Sequence, residues 1–584
     1  MNIFSDYRER IESHVIALQK SGIIPGGIDM SRATIEPPRD ASHGDLASNM
    51  AMLLAKPAGM KPRDIAEHIA KRLKNDRDIA SVEIAGPGFI NIRLKHEIWH
   101  KLIDAVLKSG QAFGRSDMGN DEKVNLEYVS ANPTGPMHVG HARGAVVGDA
   151  LARLLDVAGY QVTKEYYIND AGGQVRVLAQ SALLRMREAL GEAIGDIPEG
   201  LYPGDYLKPV GQALANAHGA DLLNQDEEEQ IRAVKALALP MMMDMIRDDL
   251  RALGVAHDYF LSEQSLHDSG AVDGALQELD KKQLVYIGTL PPPKGTTPPA
   301  DWEPEPQTLF RSRQFGDDSD RALKKADGNW TYFAPDIACH FDKYNRGFTK
   351  MIDVWGADHA GYIKRMSSAV TAITDAKASL TVLVCQMVKL QRDGQPIKMS
   401  KRSGEFVTLR EVVDEVGRDA VRFMMLTRKN DAPLDFDFSL IKQQSRDNPV
   451  FYVQYAHARI CSVLRNAAAA GLKNLEDENL CDVDLSSLDS EAELNLIRQM
   501  ASFPRFIEAA AESLEPHRIV FYVQELAATF HALWNAGKED TALRFIHEDD
   551  EPKTRARLAL LRAVATTISN ALSVIGVEAQ EEMR

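Results

Sequence analysis

The chain has 584 residues and a formal net charge of −16, from 68 basic and 84 acidic residues. A chain of this length exceeds what one hydrophobic core organises, so three or four domains are expected. The acidic balance argues against indiscriminate binding to polyanions, and no apolar run reaches the roughly 18 residues that a membrane helix needs.

The first segment, residues 1–115, reads as an independent α+β domain. Acidic residues interrupt its first 20 positions, which favours a helix that stays in the protein over a removable targeting peptide. Alternation of apolar and polar residues over 88–95 predicts a strand. Residues 110–120 are rich in glycine and polar residues and predict a linker.

A strand, a loop rich in Gly and Pro, and a helix come next. Residues 123–129 alternate like a strand, and 141–158 carry apolar residues at helical spacing. This succession is typical of the opening of a nucleotide-binding α/β unit.

Helix formers dominate residues 174–249 and indicate a helical insertion, whereas 290–307 is rich in Pro and predicts an exposed connection. Strand and helix signals return around 382–384, and beyond Asp447 the pattern is helical. We therefore predict three domains: an N-terminal domain at 1–115, an α/β domain at 116–430, and a connecting segment with an all-α bundle at 431–584.

The cysteines lie far apart in the sequence, so neither a disulfide framework nor a zinc site is indicated. A reducing compartment is expected, with no structural metal. The four residues are Cys339, Cys385, Cys461 and Cys481.

The loop from Ser130 to His141 is the strongest local signal. A helix N-terminus offers unpaired N–H groups and partial positive charge, which suit a triphosphate. His138 and His141 are three residues apart and can face one ligand, where they could stabilise charge on an α-phosphate. Gly140 leaves room for a flat base against the backbone. Taken alone, the histidines could instead be polar caps, or a metal pair that no nearby carboxylate or Cys completes.

A basic loop at 395–404 is the second signal. Lys398 and Lys401 could neutralise phosphates as point charges on flexible side chains. Without the histidine loop, a solvated surface segment would be the simpler interpretation. The two loops in this order are far more specific than either one.

Together, His138-Val-Gly-His141 and Lys398-Met-Ser-Lys401 resemble the two signature motifs of the class I aminoacyl-tRNA synthetases. The resemblance implies a Rossmann-type parallel-sheet catalytic domain. Further blocks narrow it to the arginyl enzymes: 127–144, 167–172, 331–338, 356–359 and 448–459.

An arginine pocket must bind a planar cation with five donors, so it needs carboxylates placed for forked hydrogen bonds. The resemblance points to Asp336 and Tyr332, four residues apart, together with Glu263. Without the family, Asp336 could be a helix cap and Glu263 a first-turn acid.

The resemblance also implies the remaining ligand contacts. Glu127 and Asn132 match positions that hold the α-amino and carboxylate ends of the substrate, and His359 is a further candidate for the pocket. Tyr452 and Tyr455 could stack on tRNA bases. The implied ATP-binding residues are Pro133, Thr134, Gly135, His138, Gly140, His141, Met399, Ser400 and Lys401.

The implied reaction activates arginine with ATP and then transfers it to a terminal ribose hydroxyl of tRNA(Arg). Mg²⁺ is expected to arrive with the nucleotide, and zinc is not expected. The family also implies that activation needs bound tRNA and that no editing domain exists. The N-terminal domain is expected to touch the tRNA elbow and the helical bundle to bind the anticodon. A cytoplasmic monomer is the expected form.

Two rival functions stay open at this stage. A class I synthetase for another amino acid, such as cysteine, would call for a zinc-binding cysteine set, which the spacing does not provide. A non-catalytic RNA-binding paralogue is disfavoured because both His and both Lys of the two motifs are present.

Overall fold

The computed structural model describes residues 2–290, 305–397 and 407–583. Within these ranges no helix combines the length and the apolar character that crossing a membrane requires. The chain forms two compact units: Met1–Ser116 with Gln444–Arg584, and Asp117–Gln443.

The first unit begins with an α+β segment. Its four strands form one antiparallel sheet in the order β1-β2-β4-β3. The elements are α1 Ile3–Lys20, β1 Ile35–Glu36, β2 Leu46–Ser48, α2 Met50–Ala58, α3 Pro62–Leu73, β3 Ile79–Ala85, β4 Phe89–Leu94 and α4 His96–Ser109.

The central unit carries eleven strands among its described residues: β5 Lys123–Tyr128, β6 Gln161–Ile168, β7 Tyr259–Ser262, β8 Val285–Gly288, β9 Gln307–Phe310, β10 Arg321–Lys324, β11 Lys350–Gly356, β12 Ser379–Cys385, β13 Val388–Arg392, β14 Gln395–Pro396 and β15 Leu434–Asp437. Its helices are α5 Val139–Val157, α6 Gly173–Ala189, α7 Lys208–His218, α8 Glu227–Ala252, α9 Glu263–Asp268, α10 Ala271–Lys281, α11 Phe333–Asn345, α12 Ile363–Ile373, α13 Leu409–Val416, α14 Arg418–Met425 and α15 Phe438–Ile441.

The C-terminal part of the first unit is helical throughout its regular structure: α16 Pro449–Ala469, α17 Asp477–Leu480, α18 Glu491–Ala501, α19 Phe503–Ser513, α20 His517–Glu539 and α21 Glu551–Val574. This part packs on the N-terminal segment. The Asn570 side chain donates to the carbonyls of Gly110 (2.9 Å) and Phe113 (3.0 Å), and Arg498 pairs with Asp45 at 2.7 Å. The two ends of the chain thus complete one another's core.

A five-stranded parallel sheet organises the central unit, in the order β12-β11-β5-β6-β7. Counted along the chain, β5 is the first strand; β6 and β7 extend the sheet on one side, β11 and β12 on the other. The strand order therefore reverses between β5 and β11, which is where doubly wound sheets bind ligands, at their carboxyl ends. This confirms the Rossmann-type prediction.

Most elements around the loops of interest form as predicted. The strand predicted at 123–129 is β5, the stretch 174–249 contains α6 to α8, and 382–384 lie in β12. Helix α5 starts at Val139, two residues before the predicted start, because His138 caps it. The connection predicted to be exposed at 290–307 falls largely outside the described residues.

Helix α5 packs unusually close to β5. A Cβ added at Gly148 would meet the Tyr128 ring at 2.2 Å, so only glycine allows this approach. The helix start and the strand end are consequently held close together, with the histidine loop between them.

Candidate active site

The chain leaves β5 through a strained turn. Val129 has φ 73° and Ser130 has φ 40°, values that are rare for residues other than glycine and unfavourable for a β-branched side chain. The Ser130 N–H donates to the Tyr128 carbonyl at 3.1 Å, which closes a γ-turn around Val129. The Ser130 hydroxyl donates to Glu127 at 2.9 Å and accepts from the Tyr167 N–H at 3.1 Å. Such strain typically persists where a site requires it.

Two aromatic side chains hold this turn from outside. The His257 Nε2 lies 3.2 Å from the Tyr128 carbonyl, and the Tyr166 hydroxyl donates to the Ala131 carbonyl at 2.7 Å. Burial lowers the pKa of His257 to about 4, so the ring is neutral and carries its proton on Nε2 to donate to the carbonyl. The entry to the histidine loop is therefore a fixed structure.

The segment Asn132–Gly135 runs along the surface of the site. The Thr134 N–H donates to the Asn132 carbonyl at 2.8 Å, and the Thr134 carbonyl accepts from the Tyr206 hydroxyl at 2.8 Å. Pro133 is buried, and the Asn132 side chain is exposed. The predicted ATP-binding residues of this segment thus form a short bend next to the helical insertion.

His138 and His141 stack at the start of α5 with their ring centroids 3.9 Å apart. His138 Nδ1 accepts from the Gly140 N–H at 3.0 Å, and His141 Nδ1 accepts from the His138 N–H at 3.3 Å. Backbone N–H groups only donate, so both Nδ1 atoms are unprotonated and each neutral ring carries its proton on Nε2. The histidines are indeed helix caps, and this capping orients both Nε2–H groups as donors.

Gly140 gives the His138 ring the space it occupies. A Cβ there would lie 2.7 Å from the His138 imidazole. The glycine therefore makes room for the capping imidazole of His138, and that imidazole presents a flat surface of its own.

The lysine motif lies outside the described residues, which covers Lys398, Met399, Ser400 and Lys401. The segments on either side are described. On one side β13 and β14 pair as a hairpin. On the other, the Val407 carbonyl accepts from the Val139 N–H at 3.2 Å, and the Leu409 N–H donates to the Met137 carbonyl at 2.8 Å. The chain therefore returns from the lysine motif directly alongside the histidine motif.

Asp336 lies in the first turn of α11, at the carboxyl edge of the parallel sheet. One of its oxygens accepts from the Tyr362 hydroxyl at 2.7 Å. Burial is the main cause that raises the pKa of Asp336 to about 7; the nearby carboxyls of Glu263 and Glu127 contribute in the same direction, and Tyr362 and His340 oppose them. A cation placed here would stabilise the ionised form.

Glu263 reaches the same region from the end of β7. Asp170 fixes its turn by accepting from the Ser262 hydroxyl at 2.6 Å and from the Gln264 N–H at 2.8 Å. Burial is the main cause that raises the pKa of Glu263. Burial raises the pKa of Tyr167 well above its usual range, with smaller contributions from the charges of Asp336, Glu263 and Glu127. All three carboxyls thus act on the same phenol.

Glu127 belongs to a buried ionic network that sequence reasoning missed. Glu127 accepts from the Lys343 ammonium at 2.6 Å, and Lys343 also lies 3.3 Å from Asp353. Asp353 on β11 is the residue that pairs in register with Glu127 on β5. Asp353 in turn contacts His340 at 3.0 Å. One sequence feature could have indicated this network: the polar positions 336, 340 and 343 fall on one face of a helix.

The described residues contain one group of potential metal ligands: Glu127, Glu165 and Cys339. The Arg346 guanidinium donates to Glu165 at 2.6 Å, and Lys343 occupies Glu127. Burial raises the pKa of the Cys339 thiol well above its usual range. Two cations and a protonated thiol oppose binding of a metal ion here.

Tyr332 and His359 are much more exposed than the acidic pocket candidates Asp336, Glu263 and Glu127. Tyr332 precedes α11 with 73% of its surface exposed. The His359 side chain is 66% exposed and lies 3.5 Å from Asp358. Asp336 bonds to Tyr362, whereas most of Tyr332 faces solvent.

The two tRNA-binding candidates lie on α16 within an aromatic cluster. Tyr455 stacks on Phe451 at 5.6 Å, and its hydroxyl accepts from Arg459 at 2.7 Å. The Tyr452 ring lies 4.5 Å from that of His531. Tyr455 remains partly exposed. A surface of rings with a guanidinium suits stacking on unpaired bases.

Three family models match the chain. "Arginyl tRNA synthetase N terminal domain" matches residues 5–94, "tRNA synthetases class I (R), catalytic domain" matches 102–199, and "DALR anticodon binding domain" matches 453–583.

The chain is also similar over its whole length to curated proteins. It is 61% identical to the arginine–tRNA ligase of Parvibaculum lavamentivorans and 59% identical to that of Xanthobacter autotrophicus, with 100% of each chain covered. Among solved structures, Thermus thermophilus arginyl-tRNA synthetase has the same fold, with a TM-score of 0.72 and 21% identity over 99% of this chain and 100% of that one.

Proposed function

Because this chain belongs to the arginyl-tRNA synthetase family, we propose that the carboxyl edge of its parallel sheet holds both arginine and ATP. The activity is that of a class I arginine–tRNA ligase: arginine is activated as arginyl-adenylate and then transferred to tRNA. Each step of this reaction has its own set of residues at that edge.

In the first step a carboxylate oxygen of arginine attacks the α-phosphorus of ATP, and the bond to the β-phosphate bridging oxygen breaks. Pyrophosphate leaves with that electron pair, and no proton transfer is needed. His138 and His141 donate through Nε2–H to the oxygens on which charge builds. Their fixed tautomer supports this role, because capping by Nδ1 leaves each ring a donor at its far nitrogen.

Lys398 and Lys401 neutralise the leaving pyrophosphate, and ATP enters as its Mg²⁺ complex. The support for this assignment is the pairing of Val407 and Leu409 with the histidine motif. The described flank of the lysine loop is thereby tied to the start of α5. Met399 and Ser400 are proposed to contact the nucleotide as part of the same loop.

The arginine side chain binds between Asp336 and Glu263. The observation that carries this proposal is a pair of carboxyls, buried in Glu263 and half-buried in Asp336, whose pKa values are both raised mainly by burial and that lie at the ligand-binding edge of the sheet. A guanidinium supplies the missing positive charge and enough donors for both carboxylates. Lysine offers one compact ammonium, leaves acceptors unpaired, and is rejected for that reason.

The α-amino group and carboxylate of arginine lie toward the histidine loop. We assign the ammonium to the Glu127 oxygen that now accepts from Ser130, since Lys343 occupies the other oxygen. Asn132 binds the carboxylate. Tyr332 and His359 line the open side of the pocket, and their exposed side chains turn toward the substrate when it binds.

In the second step the 2′-hydroxyl of the terminal ribose attacks the activated carbonyl carbon, the bond from that carbon to the phosphate oxygen breaks, and AMP leaves with the electron pair while the hydroxyl proton passes to the phosphate or to solvent. The N-terminal segment is proposed to contact the tRNA elbow, and Tyr452 and Tyr455 to stack on anticodon bases. We propose that the first step requires bound tRNA, that the enzyme uses neither zinc nor an editing domain, and that it works as a cytoplasmic monomer.

Pyrophosphate exchange tests the assignment directly. Arginine-dependent exchange is expected with tRNA present and not without it. Exchange driven by another amino acid would overturn the substrate assignment, and exchange without tRNA would overturn the proposed order of events. Glu263→Gln is expected to raise the KM for arginine strongly with little change in the KM for ATP, and equal changes in both would remove Glu263 from the pocket.

A further inference from the structure

Tyr206 lies in a short 3₁₀ turn, Asp205–Leu207, between α6 and α7 of the helical insertion. Its hydroxyl donates to the Thr134 carbonyl at 2.8 Å, across 72 positions of sequence. We propose that Tyr206 is a positioning residue that holds the nucleotide-binding bend in shape. The inference rests on the proposed function, because it makes the helical insertion responsible for the shape of the segment that is proposed to bind ATP.

The fit of the Tyr206 ring to the bend is tight. A Cβ added at Gly135 would lie 2.8 Å from the ring carbon and hydroxyl oxygen of Tyr206, and one added at Gly204 would lie 2.2 Å from the ring. Two glycines therefore clear the space that the ring fills, one on the nucleotide bend and one on the insertion. The ring sets the position of the bend by contact as well as by its hydrogen bond.

The Tyr206 turn is itself well supported. The nearly buried Arg185 donates to the Pro203 carbonyl at 2.7 Å and to Glu188 at 2.7 Å. Burial raises the pKa of Tyr206 to about 12, so the phenol stays protonated and remains a donor. A rigid support can transmit its position to the bend that it contacts.

The insertion also holds the loop at a second point. Asp249, near the end of α8, accepts from the Met137 N–H at 3.2 Å. Thr134 and Met137 lie on either side of Gly135 and Pro136, so the insertion contacts the histidine loop at two points. These contacts fix the path of the chain from the bend into His138, which caps α5.

Tyr206→Phe removes only the hydroxyl and keeps the ring. The control is Tyr202→Phe, four residues away, whose hydroxyl makes no hydrogen bond within the described part of the chain. Exchange kinetics are measured with arginine and tRNA present, together with the melting temperature. We expect Tyr206→Phe to raise the KM for ATP about 5- to 10-fold, the equivalent of one hydrogen bond. The KM for arginine and the melting temperature should stay close to wild type, and Tyr202→Phe should change none of these.

A KM for ATP equal to wild type would overturn the proposal. So would equal rises for ATP and arginine, or a loss of kcat that merely follows a lower melting temperature. An inactive wild-type enzyme would instead refute the proposed function, so the two failures are distinguishable.

A double-mutant cycle tests the ring contact separately. In the wild type, Gly135→Ala forces the new Cβ against the ring and is expected to raise the KM for ATP more than tenfold. In a Tyr206→Ala background the space is open, and the same change should shift the KM less than about twofold. Equal effects in the two backgrounds would overturn the packing argument. If Tyr206→Ala does not fold, Tyr206→Leu, which also removes the ring, replaces it in the cycle.

Discussion

The Tyr362 hydroxyl donates a 2.7 Å hydrogen bond to the Asp336 carboxylate. A phenol supplies one neutral hydrogen bond and brings no positive charge of its own. Arginine at the proposed site would supply that charge, and without it the raised pKa of Asp336 lowers the stability of the free protein near neutral pH.

Asp336→Ala is expected to lower kcat/KM for arginine by about 1000-fold or more, because the guanidinium loses a charged acceptor in a buried pocket. The Kd for ATP should change less than about twofold, since within the described residues the Asp336 carboxyl bonds to Tyr362 and to no group of the histidine loop. Exchange kinetics and equilibrium ATP binding check this. Asp280→Ala, on the exposed side of α10, is the control. Unchanged arginine kinetics would remove Asp336 from the pocket.

Arginine binding is expected to release a proton near neutral pH. The pKa of Asp336 is raised to about 7 in the free protein, and the bound guanidinium requires the ionised form. Arginine affinity should therefore fall about tenfold for each pH unit below about 7. Arginine affinity thus rises with pH, whereas the stability of the free protein changes in the opposite direction. Because the carboxyl pKa is raised on folding, the free energy of unfolding falls as pH rises from about 4 to about 7. Calorimetry in two buffers of different ionisation enthalpy measures the released proton, and Asp336→Asn should abolish it.

Lys343→Met is expected to destabilise the central unit by about 3–5 kcal/mol, because Glu127 and Asp353 lose the buried cation between them. The deficit should shrink as pH falls, since protonating either carboxyl removes the unpaired charge. Urea denaturation at several pH values tests this. Lys350→Met, which removes a half-exposed pair with Glu122, should cost less than about 1 kcal/mol. Equal losses for both variants would contradict the network.

Gly148 and Gly144 give a matched pair on one helix. Gly148→Ala should destabilise by about 1–3 kcal/mol, since its Cβ would overlap the Tyr128 ring at 2.2 Å. Nothing lies within 4 Å of a Cβ at Gly144, so Gly144→Ala should stabilise by about 1 kcal/mol through helix propensity. Melting temperatures report both, and shifts of the same sign would refute the packing account.

Lys401→Ala is expected to lower kcat about 100-fold, as for loss of one group that stabilises transition-state charge. The KM for arginine should change little. Wild-type activity in this variant would mean that the loop is only surface.

The periodic elements of the site could be predicted from sequence. The alternation that predicts β5 and the helical spacing that predicts α5 are local properties, and both elements form. The predicted start of α5 is two residues late because histidine is an uncommon N-cap. The left-handed turn at Val129 could not be expected either, because a β-branched residue disfavours positive φ, and the tertiary contacts that hold it, such as those of His257 and Tyr166, are not visible in the sequence.

The contacts of Asp336 show where sequence reasoning stops. Its partner Tyr362 lies 26 positions downstream. Tyr362 shares a short 3₁₀ turn with His359, the last residue of the block 356–359 that resembles the family. The Lys343–Glu127 pair spans 216 positions. It forms because α11 precedes β11, and β11 pairs with β5 in register. A helical face can be read from sequence, but the strand it packs against depends on the sheet order.

The pairing of Asn570 with Gly110 and Phe113 also bears on how the chain emerges from the ribosome. The first 116 residues must wait for the last helix before their core is complete, and the whole central unit is synthesised in between. At translation rates of about 5–20 residues per second this delay is on the order of tens of seconds. A message cut short anywhere before that helix would therefore release a protein damaged at its beginning as well as at its end.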